Sequence, residues 1–105
     1  MIARIWKGKT KIEHLEEYTD FMKVKAIPDY SQVEGFIKLI FLKRIDTDYA
    51  YFDLITFWKN MEVIKGFAGN DFEKAKYYPE DKTYLVDFPE KVTHYEVFAE
   101  YAAFT

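Results

Sequence analysis

Apolar and polar positions alternate over residues 2–7 with the period of a strand: Ile2, Arg4 and Trp6 point one way, Ala3 and Ile5 the other. Gly8-Lys9-Thr10 predicts a turn. Thr10 and Glu13 then fit a capping box, each side chain satisfying an orphan amide at a helix start. In that helix Ile12, Leu15, Tyr18 and Met22 form one stripe, with Phe21 beside it. Pro28 predicts its end or a break, because the residue before proline disfavours the helical region. Residues 34–45 read as a long strand, with Phe36, Ile40 and Leu42 on one face and Ile37, Leu39 and Phe41 on the other. Asp46-Thr47-Asp48 is a turn signal. Residues 49–58 read as the returning strand, apolar on both faces. Asn60 predicts the N-cap of a short helix carrying Val63, Ile64 and Phe67, with Gly69 near its C-terminal end. Residues 71–86 read as a partly helical excursion broken at Pro79, and residues 92–99 as the last strand.

The order is β-α-β-β-α-β, an α+β ferredoxin-like unit with a four-stranded antiparallel sheet. An antiparallel sheet with one wet face alternates apolar and polar residues. The two central strands do not alternate, so both faces need cover. Helices cover one face. The other requires something this chain lacks, and a second copy of the sheet supplies it. The pattern therefore predicts a homodimer.

Composition narrows the picture. The chain has 105 residues, half of them hydrophobic and 20% aromatic, which predicts one domain, 1–105, with an ample core. Lys plus Arg is 15 and Asp plus Glu is 18, for a net charge of −3. No basic footprint for nucleic acid exists. With no cysteine, disulfides, thiolate metal sites and cysteine nucleophiles are excluded. Residues 1–7 contain no apolar secretion segment, and no run approaches the ~18 apolar residues that cross a bilayer. The expectation is a cytoplasmic protein with no nucleic-acid or membrane partner.

His94 is the sharpest chemical candidate. It shares a face of the last strand with Val92, Glu96 and Phe98. An imidazole in an aromatic cavity can take a proton from a phenol; the plainer alternative is a structural histidine bonded to a carbonyl or carboxylate. His14 is expected to be solvent-exposed, and two unclustered histidines do not make a zinc site. Trp6, Trp58, Phe67, Tyr77 and Tyr78 form an aromatic set that serves either as packing or as the wall of a pocket. Asp71, Glu80 and Asp81 are acids of the excursion, read as caps or turn residues. Arg4 and Arg44 are the only arginines. Each is suited to an anion or a surface ion pair.

The segments Trp58-Lys59-Asn60, Phe67-Ala68-Gly69-Asn70-Asp71, Tyr77-Tyr78-Pro79-Glu80-Asp81 and His94-Tyr95-Glu96-Val97 resemble the antibiotic biosynthesis monooxygenase family of the dimeric α+β barrel superfamily. Ile5-Trp6-Lys7-Gly8-Lys9-Thr10 looks like that family's opening strand and turn. The resemblance covers essentially the whole chain. It implies a dimeric ferredoxin-like barrel, and its His-Tyr pair falls on His94 and Tyr95. The family includes cofactor-free quinone-forming oxygenases and haem-degrading enzymes. In the haem branch, the first-strand asparagine is missing here, the tryptophan position falls on Phe67 and the histidine position on Tyr77 or its neighbour. The resemblance therefore implies a cofactor-independent monooxygenase for a small aromatic or quinol-type molecule. His94 would be the catalytic base, with Trp6, Trp58, Phe67, Asp71, Tyr77 and Tyr78 around the substrate and no metal, flavin or haem required. The alternative is a non-catalytic small-molecule-binding or stress-associated protein of the same fold.

Overall fold

The computed structural model describes residues 1–103. The elements are β1 (Ile2–Lys11), a 3-10 turn (Ile12–His14), α1 (Leu15–Ser31), β2 (Phe36–Ile45), β3 (Tyr49–Trp58), α2 (Met61–Ala68), α3 (Asp81–Tyr84) and β4 (Thr93–Glu96). The sheet runs β2-β3-β1-β4, and every neighbouring pair is antiparallel. This is the ferredoxin-like β-α-β-β-α-β order, with both long helices on one face.

β3 shows the logic of the two faces. Ala50, Phe52, Leu54, Thr56 and Trp58 are buried under the helices, while the residues between them are half-buried on the other side. α1 answers with Tyr18, Met22, Ala26 and Tyr30, a buried stripe at a strict four-residue spacing. Tyr18 lies edge-on to Phe52, and Tyr30 packs against Phe36, Trp58 and Phe67.

Several local expectations are corrected. Gly8-Lys9-Thr10 is not a turn: β1 continues to Lys11, paired with β3 throughout. Gly8 is needed there because the Trp6 ring lies across it; a Cβ would fall 2.5 Å from Trp6 Cη2. Thr10 is fully buried in that ladder and its hydroxyl donates to the Lys11 carbonyl, so no capping box forms. Ile12 belongs to the 3-10 turn and is 37% exposed. α1 runs through Pro28 to Ser31. The carbonyl that loses its donor is that of Val24, whose residue faces water, and Tyr30 anchors the last turn in the core. In β2 a bulge between Phe36 and Lys38 shifts the register. Phe36 therefore sides with Leu39 and Phe41 under the helices, and Ile40 and Leu42 lie on the open face. β4 ends at Glu96, shorter than expected, and Phe98 is almost fully exposed.

Other expectations hold. The Asp46 carboxylate accepts from the amides of Asp48 and Tyr49, forming the hairpin turn. Asn60 caps α2 by accepting from the Val63 amide at 3.0 Å, and Gly69 ends it at φ 90°. The excursion after α2 is strapped to the sheet at two places. Ala75 N donates to Glu90 O and Val92 N to Glu73 O at one end; Val86 N donates to Lys9 O at the other. Among the described residues no helix is long and apolar enough to cross a membrane.

The open face carries Ile5, Ile40, Leu42, Ile55, Phe57 and Tyr95 by strand register. Ile40, Leu42 and Tyr95 are 40%, 49% and 56% exposed.

Candidate functional site

The site is built on β1 and β4, where the excursion crosses the helix-facing side of the sheet. Arg4 projects from β1 between Thr56 of β3 and His94 of β4, and is 1% exposed. Its Nη2 donates to the Lys74 carbonyl at 3.3 Å. Its guanidinium lies beside the Tyr30 hydroxyl and 6.0 Å from the Phe67 ring centre. Among the described residues it forms no ion pair with a carboxylate. Burial lowers its pKa from the ordinary value, yet an arginine remains a cation at neutral pH.

Trp6 is the next residue on this face, 5% exposed and edge-on to Tyr77 at 5.9 Å. The Tyr77 hydroxyl donates to the Pro89 carbonyl, and burial pushes its pKa up to about 12. His94 lies opposite Arg4, half-buried and edge-on to Phe72 at 5.7 Å. Its ring is thus on the helix-facing side of β4, toward the excursion. Burial lowers its pKa first, and the Arg4 charge lowers it further; Glu73 opposes both. The imidazole is neutral near pH 7.

Between sheet, α1 and excursion runs a crevice lined by Trp6, Leu54, Met22, Tyr30, Lys76, Tyr78 and Asp81. Its volume is about 10 Å³, enough for about one water. Asp81 is 1% exposed and helps to close this crevice. One of its oxygens accepts the Tyr18 hydroxyl at 2.8 Å, the other the Tyr78 amide at 2.7 Å. Burial raises its pKa, and those two bonds oppose the rise. The Tyr78 hydroxyl donates to Asp29 at 2.7 Å.

The sequence candidates therefore divide. Trp6, Tyr77 and Tyr78 surround the crevice or its rim. Trp58 is fully buried behind it, with Nε1 donating to Thr56 Oγ1 at 2.8 Å, and packs against Phe67 at 5.2 Å. Phe67 receives the Lys76 ammonium over its ring at 4.1 Å. Asp71 lies apart, exposed beside Lys74, Glu90 and Lys91 at a shallow hollow. Glu80 forms an exposed ion pair with Lys25, and Arg44 lies over the Tyr51 ring. His14 is half-buried against Tyr84 rather than exposed. Sequence reading missed the burial of Arg4 and Asp81. The available signal was Arg4's place between Ile2 and Trp6 on a face that buries everything else. A separate apolar groove of about 190 Å³ lies between α1 and β2, along Met22, Phe41 and Phe52, and holds no acid or histidine.

No protein-family model matches the sequence, and no curated protein matches it. Solved structures do match in fold. A protein from Bacillus cereus described as a candidate antibiotic biosynthesis monooxygenase aligns with a TM-score of 0.68 at 16% identity, over 97% of each chain. A Deinococcus radiodurans protein of the same description aligns at 0.65 and 13% identity over the full length of both. The heme degrader MhuD of Mycobacterium tuberculosis, with two hemes in its active site, aligns at 0.65 and 15% identity, over 97% of this chain and all of that one. The fold is that of the antibiotic biosynthesis monooxygenase proteins.

The residues here do not fit a haem. The excursion offers no histidine, the Tyr77 hydroxyl already donates to Pro89 O, and the first strand presents Arg4 and Trp6. The crevice of about 10 Å³ falls far below the ~300–1,000 Å³ of ordinary ligand sites.

Proposed function

We propose that this chain is a member of the antibiotic biosynthesis monooxygenase family and acts, as a cytoplasmic homodimer, on a small aromatic or quinol-type substrate without a cofactor. The observation that carries this reading is His94: a neutral imidazole on the enclosed face, its Nε2 buried and free of protein partners. A neutral imidazole is what a general base needs near pH 7. His94 takes a proton from the substrate, whose carbanion then reduces oxygen. A ring C–H para to the phenol, a CH2 in its keto tautomer, becomes C=O, and the second oxygen atom leaves as water. Trp6, Tyr77 and Tyr78 flank the substrate, Trp58 and Phe67 back that wall, and Asp71, exposed and apart, makes no contact with it. Met22 and Lys76, both unbranched, are the lining side chains that swing to admit it.

The test is oxygen uptake with a panel of dihydroxyaromatics. Uptake by the wild type should fall about 10²–10⁴-fold in His94→Ala. Binding without uptake supports the second reading, a non-catalytic small-molecule-binding or stress-associated protein, which the closed crevice favours. The open apolar face supports the dimer. Sedimentation should show a dimer at micromolar concentration, and Ile40→Asp should shift it toward monomer, since an unpaired buried carboxylate is costly. A wild-type monomer removes the dimer from the proposal.

A further inference from the structure

Among the described residues, three buried side-chain nitrogens have no hydrogen-bond partner: Arg4 Nε, Trp6 Nε1 and His94 Nε2. They are not scattered. Arg4 and Trp6 are successive residues on one face of β1, and His94 is the cross-strand partner of Arg4. Buried polar groups are paired as a rule, so three orphans on one strip call for a common explanation. Arg Nε and Trp Nε1 can only donate. Those two donors therefore lack acceptors, while His94 Nε2, the base of the reading above, carries a lone pair.

The strip also lacks negative charge. A guanidinium taken out of water needs an anion or a full set of acceptors. Arg4 has one long bond, 3.3 Å to the Lys74 carbonyl, and the neutral Tyr30 hydroxyl beside its guanidinium; neither supplies a negative charge, and Nε has no partner. Tyr30 keeps its proton, because burial holds its pKa up near about 12. A second cation, the Lys76 ammonium, lies over the Phe67 ring that Arg4 also approaches. Both oxygens of Asp81, the buried acid of the adjoining crevice, already accept from Tyr18 and Tyr78. Glu73 stands near His94, but it is exposed. Around these donors the surfaces are aromatic: Trp6, Phe67 and Phe72.

We propose that this strip is the binding site for an aromatic carboxylate, with Arg4 as its anchor. The carboxylate takes the free Arg4 Nε–H, the ring lies among Trp6 and Phe72, and Lys76 guards the mouth. This names the substrate class of the site described above and rests on that reading for its location, while its test needs no turnover. The crevice shares Trp6 with the strip, is not lined by Arg4 or His94, and is closed here, so binding requires the side chains packed over the strip to move.

Benzoate and its neutral isostere benzamide distinguish these cases in the intact protein. The wild type should bind benzoate at least about tenfold more tightly, since only benzoate brings the negative charge that the buried guanidinium lacks. The 15N–1H resonances of Arg4 Nε and Trp6 Nε1 should move with benzoate and stay still with benzamide. Arg4→Met should fold without loss of thermal stability, because it removes an uncompensated buried charge, and should lose the preference. Equal or absent binding of the two probes overturns the proposal, as does a preference that Arg4→Met retains. If that variant fails to fold, the wild-type resonances decide alone: unmoved signals under saturating benzoate mean ordered waters only. Oxygen uptake without a carboxylate preference sinks this inference and leaves the monooxygenase reading standing; preference without uptake of any substrate does the reverse.

Discussion

Trp58 and Trp6 are both buried tryptophans on the same face of the sheet, and their surroundings differ in one respect. Trp58 sits in a closed aromatic cluster with Tyr30, Phe36 and Phe67, and its indole donates to Thr56 at 2.8 Å. Trp6 sits beneath the excursion, and its indole donates to nothing. The first environment is complete: packing and polar groups are satisfied within one chain. The second is packed yet unfinished, with Arg4 and His94 in the same condition beside it. Stability explains the first region. The second has three polar atoms that stability alone leaves unexplained, and that difference is why the site is placed there.

The largest expected effect lies in the complete region. Trp58→Ala should cost about 3–5 kcal/mol in chemical denaturation, from the cavity it leaves and the lost bond to Thr56, whose hydroxyl keeps its bond to the Arg4 carbonyl. The sharper comparison uses phenylalanine. Trp58→Phe loses volume and a made hydrogen bond, whereas Trp6→Phe loses volume and relieves an unmade one. Trp6→Phe should therefore cost less by about 1 kcal/mol. Equal costs would break the contrast between the two regions.

Asp81 belongs to the complete side although it lines the crevice. Asp81→Ala strands the Tyr18 hydroxyl and the Tyr78 amide, and should cost about 2–3 kcal/mol. Tyr18→Phe strands one oxygen of the buried Asp81 and should cost about 1–2 kcal/mol. If Asp81→Ala were neutral, the excursion would be held by its backbone straps alone, and the closed crevice would be easy to open.

These contrasts also mark what the sequence revealed. The hairpin, the Asn60 cap, the Gly69 stop and the face of Trp6 are local events, set by turn chemistry and by the two-residue period. They were legible. The bulge after Phe36 was not, because one extra residue in a strand leaves no trace in an apolar run and reverses the parity before it. Pro28 misled in the same way: its local preference was overridden by Tyr30, whose burial among Phe36, Trp58 and Phe67 outweighs one missing hydrogen bond. The candidate site was half visible. Residue type flagged His94, Trp6 and Tyr78. The isolation of Arg4 was invisible, because the lack of a partner depends on every element packed around it.

The smallest effect is the most diagnostic, and it concerns pH. His94 has its pKa lowered from 6.5 by burial and by Arg4. Between that lowered value and 6.5 the unfolded chain binds more protons than the folded one, so stability falls as pH drops through this window and levels below it. Asp81, raised from 3.8, works oppositely: its contribution is present below 3.8 and fades as pH rises through the folded value. The two slopes partly cancel where the windows overlap. A background of Asp81→Asn removes one of them. In that background the midpoint of thermal unfolding should drop from pH 7 to pH 5 by more than it does when His94→Gln is added. Saturating benzoate should shrink the same drop, because a carboxylate beside the imidazole favours its protonated form and offsets the charge of Arg4. An acid slope unchanged by His94→Gln would mean that this histidine is solvated in the folded state. The unfinished region would then reduce to Arg4 and Trp6, with no base between them.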